Sequence, residues 1–116
     1  MTLQEVAAET GIDLETTLAR FANMEMLLKK FLKKFPDDKS FQELSRAIEA
    51  GDYPAAEHAA HTLKGVAGNL GFQGLFEINQ KIVDAVRAGN TEEAAGYFRK
   101  DKEMYDNIVA VIKQLD

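Results

Sequence analysis

The sequence predicts an all-α fold, an antiparallel up-down four-helix bundle with short N-terminal helical segments. Three observations lead there. Strong helix formers dominate, and only two prolines interrupt the 116 residues. Apolar residues recur every three or four positions over long stretches, and no alternating apolar run of strand length competes with them. The breaks between these stretches are short, which makes consecutive long helices antiparallel neighbours.

Taken in order, residues 2–9 read as a short helix with Leu3, Val6 and Ala7 on one face, ended by Gly11. Asp13 caps a second segment, Leu14 to Ala22, with Leu14, Leu18 and Phe21 apolar. Asn23 is the expected cap of the next helix, Met24 to Phe35. There Met24, Leu27, Leu28, Phe31 and Phe35 follow the helical period opposite Lys29, Lys30, Lys33 and Lys34. Pro36-Asp37 breaks the chain. A helix over about Asp38 to Ala50 points Phe41, Leu44 and Ile48 inward and closes at Gly51. Asp52 caps the central helix, with Pro54 in its first turn, where a missing N–H costs little. That helix ends at Gly71. The next, about Phe72 to Ala88, buries Leu75, Ile78, Ile82 and Val86, and Gly89-Asn90 is the turn. The last runs from near Thr91, with Glu92 and Glu93 suited to its N-terminal dipole, to Leu115. Phe98, Tyr105, Ile108, Ile112 and Leu115 are spaced for the core. The expected organisation is a single domain over 1–116, a cap at 1–22 and a bundle over 24–115.

Composition excludes several functions. A net charge of -5 argues against nucleic-acid binding, which needs a basic face. The chain has no cysteine, so disulfides and thiolate metal sites are excluded. No apolar run approaches the roughly 20 residues of a membrane span. Met1 to Val6 lacks the basic start and apolar stretch of a signal peptide. A cytoplasmic setting is expected, with no membrane association.

The chemistry concentrates at His61-Thr62-Leu63-Lys64-Gly65-Val66-Ala67-Gly68-Asn69-Leu70-Gly71. On a helix, Ala59, Leu63, Val66 and Leu70 form one stripe and His61, Lys64, Gly65 and Gly68 another, roughly opposite. The first is a core face. Each interior glycine on the second costs about 1 kcal/mol relative to alanine. Two readings of those glycines are open: close approach of a partner beside His61, or packing against a neighbouring helix.

This stretch, from Ala60 through Gly71, resembles the signature of the histidine-containing phosphotransfer (HPt) domain. The Gly11-Ile12-Asp13 segment and the helix order fit it as well. The resemblance implies a four-helix bundle that carries phosphoryl groups between the receiver domains of two-component phosphorelays. It implies His61 as phosphoacceptor, on the ring nitrogen that faces solvent. Free imidazole has a pKa of about 6.5, so at pH 7 much of it is neutral and nucleophilic without a separate base. Lys64, one turn on, is placed to pair with a phosphoryl oxygen. Gly65 and Gly68 would leave the ring open to a partner carrying an aspartyl phosphate and Mg²⁺. The expected partners are a response-regulator receiver domain, a hybrid sensor histidine kinase, or both, and the carrier is expected to be a monomer. The chain has no P-loop or other glycine-rich phosphate cradle. No autonomous kinase activity and no bound cofactor are therefore expected, and Mg²⁺ would come with the receiver.

In several members of the family a polar residue on the next helix, near position 83, hydrogen-bonds the histidine. This sequence has Val83, and Gln80, a turn away, is the available substitute. His58, three residues before His61, flanks the site. A metal shared by the two histidines lacks a fixed third ligand beyond Glu57, and no matching motif stands on a facing helix. Docking also needs an apolar patch, for which Phe72 is the candidate, with burial the alternative. The lysines of 29–34 form either a solvated face or a steering patch. The competing function is a non-catalytic helical protein-binding module with an HPt-like bundle. The pairing of His61 with Lys64 argues against it.

Overall fold

The computed structural model describes all 116 residues, Met1 to Asp116. It is all-helical, with seven α-helices: α1 (Leu3–Thr10), α2 (Leu14–Arg20), α3 (Glu25–Lys34), α4 (Ser40–Ala50), α5 (Tyr53–Leu70), α6 (Gln73–Arg87) and α7 (Thr91–Ile112). A single 3-10 turn, Phe35–Asp37, joins α3 to α4 where Pro36 breaks the helical ladder. Helices α4 to α7 form the bundle. The most extensive packing is α5 on α6, followed by α6 on α7 and α4 on α5, and α4 meets α7 to close the ring. Helix α1 packs on α7, while α2 and α3 lie against α5.

Local sequence sets the helix ends. Thr2 and Glu5 form a reciprocal capping box on α1. Asp13 accepts from the Thr16 N–H at 3.3 Å, and Asp52 from the Ala55 N–H at 3.2 Å. Gly11, Gly51 and Gly71 end α1, α4 and α5 in the left-handed conformation. Gly71 is the most constrained of them. Its φ is +84°, and a Cβ built there would stand 2.1 Å from the Thr17 hydroxyl. The α5–α6 corner therefore requires glycine for space as well as for φ.

Two expectations at the cap need correction. Asn23 does not cap α3. Ala22 and Asn23 both adopt positive φ, which ends α2 early, and Met24 takes the cap position without a side-chain hydrogen bond. Asp38 lies ahead of α4 rather than inside it, with its Oδ1 accepting from the Ser40 N–H at 2.9 Å. In the bundle, Ile48 and Val86 are half-buried rather than core, and Leu115 is buried just beyond the end of α7.

The core is continuous and centred on α5. Ala56, Ala59, Ala60, Leu63, Ala67 and Leu70 are all buried there. Four alanines on this buried face let α4 and α6 approach α5 closely, so larger side chains from the neighbours fill the space. An aromatic chain supports one end: Phe72 lies 5.1 Å from Phe35, Phe35 is 5.5 Å from Tyr105, and Tyr105 stacks on Phe41 at 4.0 Å. With its inner face saturated in this way, α5 presents its outer face to solvent.

Candidate functional site

That outer face carries the chemistry. His61 and Gly65 are exposed, and Lys64 and Gly68 are half-buried, while Ala59, Leu63 and Leu70 lie in the core and Val66 at its margin. The two stripes expected from helical spacing are thus real. His58 is exposed one turn before His61, and its carbonyl accepts from the Thr62 hydroxyl at 3.1 Å.

The glycines resolve into two different roles. A Cβ at Gly65 would meet nothing within 4 Å, so this position faces open space beside the imidazole. A Cβ at Gly68 would stand 3.1 Å from the Phe76 ring of α6. Gly68 is accounted for by close packing of α6 on α5, and only Gly65 is an opening without a packing reason.

Lys64 is held in place. Its Nζ donates to Gln80 Oε1 at 2.8 Å and lies 5.8 Å from the centre of the Phe76 ring. Gln80 Nε2 in turn donates to Asp84 Oδ1 at 2.8 Å. Phe76, Gln80 and Asp84 follow one another at i, i+4 on α6, so one helix face builds the whole support. The ammonium is fixed one turn from His61 and retains donors for an anion.

Gln80 is therefore committed to Lys64 and Asp84, not to the imidazole. Val83 offers nothing to the histidine, being 1% exposed within the core. Phe72 is also 1% exposed and packs on Phe35, so it is no docking residue. The α5 helix breaks at Gly71, and Phe72 becomes the N-cap of α6 with its ring turned inward.

The apolar surface near the site comes instead from α3, where helical spacing had set Phe31 on the apolar stripe with Leu28 and Phe35. Phe31 is 41% exposed, and its ring lies 5.4 Å from that of Phe21. It borders a groove of about 180 Å³ shared with Lys34 on α3 and with Val66 and Asn69 on α5. The Arg20 guanidinium, from the end of α2, donates to the Gly68 carbonyl at 3.0 Å. An aromatic on the lysine-bearing helix was the available signal for Phe31. Nothing local to Arg20 marked it.

The arrangement is an exposed imidazole with an immobilised ammonium one turn away and an unobstructed approach over Gly65. It has the parts of a nucleophile for phosphorus. No helix is long and apolar enough to cross a membrane. Searches among curated proteins and among solved structures return no match. The family model for the Hpt domain matches residues 26–113, which includes α4 to α7 and every residue from His58 to Asp84. The chain belongs to the Hpt domain family, whose members are the histidine phosphotransfer modules of phosphorelays.

Proposed function

We propose that His61 is the phosphoacceptor of this carrier, taking a phosphoryl group from a receiver aspartate and returning it to one. The observation that carries the proposal is the exposed His61 beside a lysine fixed by Gln80 and an empty position at Gly65. In the forward step a ring nitrogen lone pair attacks phosphorus, forming a P–N bond. The acyl P–O bond breaks, and the aspartate leaves as a carboxylate. The proton on the other ring nitrogen exchanges with solvent. Lys64 balances charge on the equatorial oxygens as the group passes, and Mg²⁺ arrives with the receiver. The carrier neither binds nucleotide nor starts the relay. Its place is the cytoplasm, where a receiver or hybrid kinase supplies the phosphoryl group.

The test is phosphoryl uptake from phosphoramidate and from a phosphorylated receiver domain with Mg²⁺, with the phosphate located by peptide mass. An acid-labile, base-stable phosphate on the peptide carrying His61 is expected. Phosphate absent, or present on another residue, defeats the assignment.

Two neighbours give graded effects. Lys64→Ala removes the fixed ammonium but not the nucleophile, so transfer slows by roughly ten- to a hundredfold without stopping. A transfer rate equal to wild type in a single-turnover assay would take the lysine out of the mechanism. Gly65→Ala should move two readouts in opposite directions. Alanine adds helix propensity in open space, raising stability by about 0.5–1 kcal/mol in a denaturant titration. The new methyl stands where the receiver approaches, and transfer slows. A variant that is both more stable and equally fast would show that nothing closes over Gly65.

A further inference from the structure

We infer that Gln80 and Asp84 are positioning residues for the transfer. Together they form an oriented, uncharged tether that holds the Lys64 ammonium on the α6 side of α5 and leaves its full charge for the phosphoryl group. This rests on the carrier reading, because it says how the cation that meets the phosphoryl group is placed.

The first observation is the order of the contacts. Lys64 Nζ donates to Gln80 Oε1 at 2.8 Å, and Gln80 Nε2 donates to Asp84 Oδ1 at 2.8 Å. An ammonium only donates, and an ionised carboxylate only accepts. An amide set between them satisfies both in one orientation alone, with its carbonyl toward the lysine and its NH₂ toward the aspartate. Asp84 therefore selects the end of Gln80 that Lys64 meets, and acts on the lysine through the amide. Without Asp84 the amide is free to turn its NH₂ toward the ammonium, donor against donor.

The second is the neutrality of the tether. The salt bridges of the chain join Met1 to Asp116, Arg87 to Glu57 and Lys102 to Asp106, and Lys64 belongs to none of them. Its partners on α6 are the amide oxygen and the Phe76 ring, whose centre lies 5.8 Å from Nζ. Both attract a cation and neither cancels its charge. A carboxylate at position 80 would grip the ammonium harder but neutralise it. The transition state spreads negative charge over the phosphoryl oxygens, and an uncancelled ammonium meets that charge best.

The third is the packing that fixes the distance. Lys64 and Gln80 are both half-buried where α5 faces α6. Helix α6 comes close there because Gly68 has no side chain, and a Cβ would stand 3.1 Å from the Phe76 ring. Phe76, Gln80 and Asp84 follow at i, i+4, and Lys64 lies against the first two. A free lysine spreads its ammonium over many rotamers, whereas this one is confined before the donor arrives. Val83 is buried and apolar, so α6 gives its polar support to the lysine rather than to the imidazole.

The experiment measures pseudo-first-order uptake by the full chain from phosphoramidate, a donor too small to be affected by docking. Each change is made with Lys64 present and in Lys64→Ala. Gln80→Leu should slow uptake roughly three- to tenfold and Asp84→Leu about threefold, both less than Lys64→Ala, since the charge stays and only its placement is lost. Asp84→Asn keeps an acceptor for Gln80 Nε2 and should recover most of the Asp84→Leu loss. Gln80→Glu holds the lysine but neutralises it, and should be at least as slow as Gln80→Leu. With Lys64 already removed, either leucine variant should change the rate by less than about twofold, an outcome that a merely structural role does not give. A wild-type or faster rate in Gln80→Leu, a wild-type rate in Gln80→Glu, or equal losses with and without Lys64 overturns the inference and leaves the carrier intact. A wild-type rate in Lys64→Ala removes the lysine and this inference with it, again leaving the carrier. No phosphate on His61 in the unaltered chain overturns the carrier reading and this inference together.

Discussion

Replacing His61 with glutamine is expected to abolish phosphoryl uptake from every donor while leaving the fold untouched. The two halves of this result have separate causes. Glutamine keeps a polar side chain of similar reach but presents an amide, whose nitrogen lone pair is delocalised and does not attack phosphorus. Lys64 does not replace the lost nucleophile, since it is an ammonium tied to Gln80. Structurally the position is exposed and glutamine is a good helix former, so stability should stay within about 0.5 kcal/mol of wild type. Intact mass after incubation with phosphoramidate gives the first readout, and a denaturant titration gives the second. Uptake at the wild-type rate would move the nucleophile elsewhere. His58 is the only other histidine, so a His58→Gln partner variant decides between the two. Loss of uptake together with a large loss of stability would mean that His61 acts through the fold.

How much of this site was legible in the sequence follows from how local each feature is. The His61–Gly68 stripe depends only on the helical period, and it stands as read. Lys64 was readable as a neighbour of His61, but its tether to Gln80 is a contact across two helices between residues sixteen positions apart, and spacing alone does not fix which residue of α6 reaches it. The glycines show the same limit: a sequence gives both the same cost, whereas only the Phe76 ring of α6 separates Gly68 from Gly65. Phe72 was misjudged because the chain turns at Gly71 and redirects the ring inward, a change of direction that a continued helical wheel does not contain. The cap of α3 failed for a related reason. Asparagine favours both cap and left-handed positions, and here Asn23 takes the left-handed one, with φ +57°. The bundle itself was legible because its four long helices are amphipathic throughout and their connections are short.

Asp101→Asn is expected to produce the largest change in stability. Asp101 lies on the stripe of α7 that contains Ala94, Phe98, Tyr105 and Ile108, and like them it is buried, with 0% exposure. Its Oδ1 accepts from Asn79 Nδ2 at 2.9 Å, and the same amide nitrogen donates to the Leu75 carbonyl at 2.9 Å. Asp101 Oδ2 and Asn79 Oδ1 are left without partners. Burial penalises the carboxylate more than the amide donor favours it, and the pKa is pushed up to about 7. The unfolded chain loses this proton near pH 4, so between about pH 4 and pH 7 the native state holds more protons than the unfolded state. Stability therefore falls as pH rises through that window, by roughly 3–4 kcal/mol for a shift of this size. Asparagine at 101 carries no charge at any pH. It keeps an oxygen for Asn79 Nδ2 and brings an N–H of its own, which is the complement the unpartnered Asn79 oxygen lacks. The variant should match or slightly exceed wild type at pH 4.5 and exceed it by roughly 3 kcal/mol at pH 8, with the slope between them removed. Urea titrations of both proteins across this range give the comparison. Equal stabilities at pH 8 would mean that the buried carboxylate ionises without penalty and that Asn79 and the surrounding groups solvate it fully.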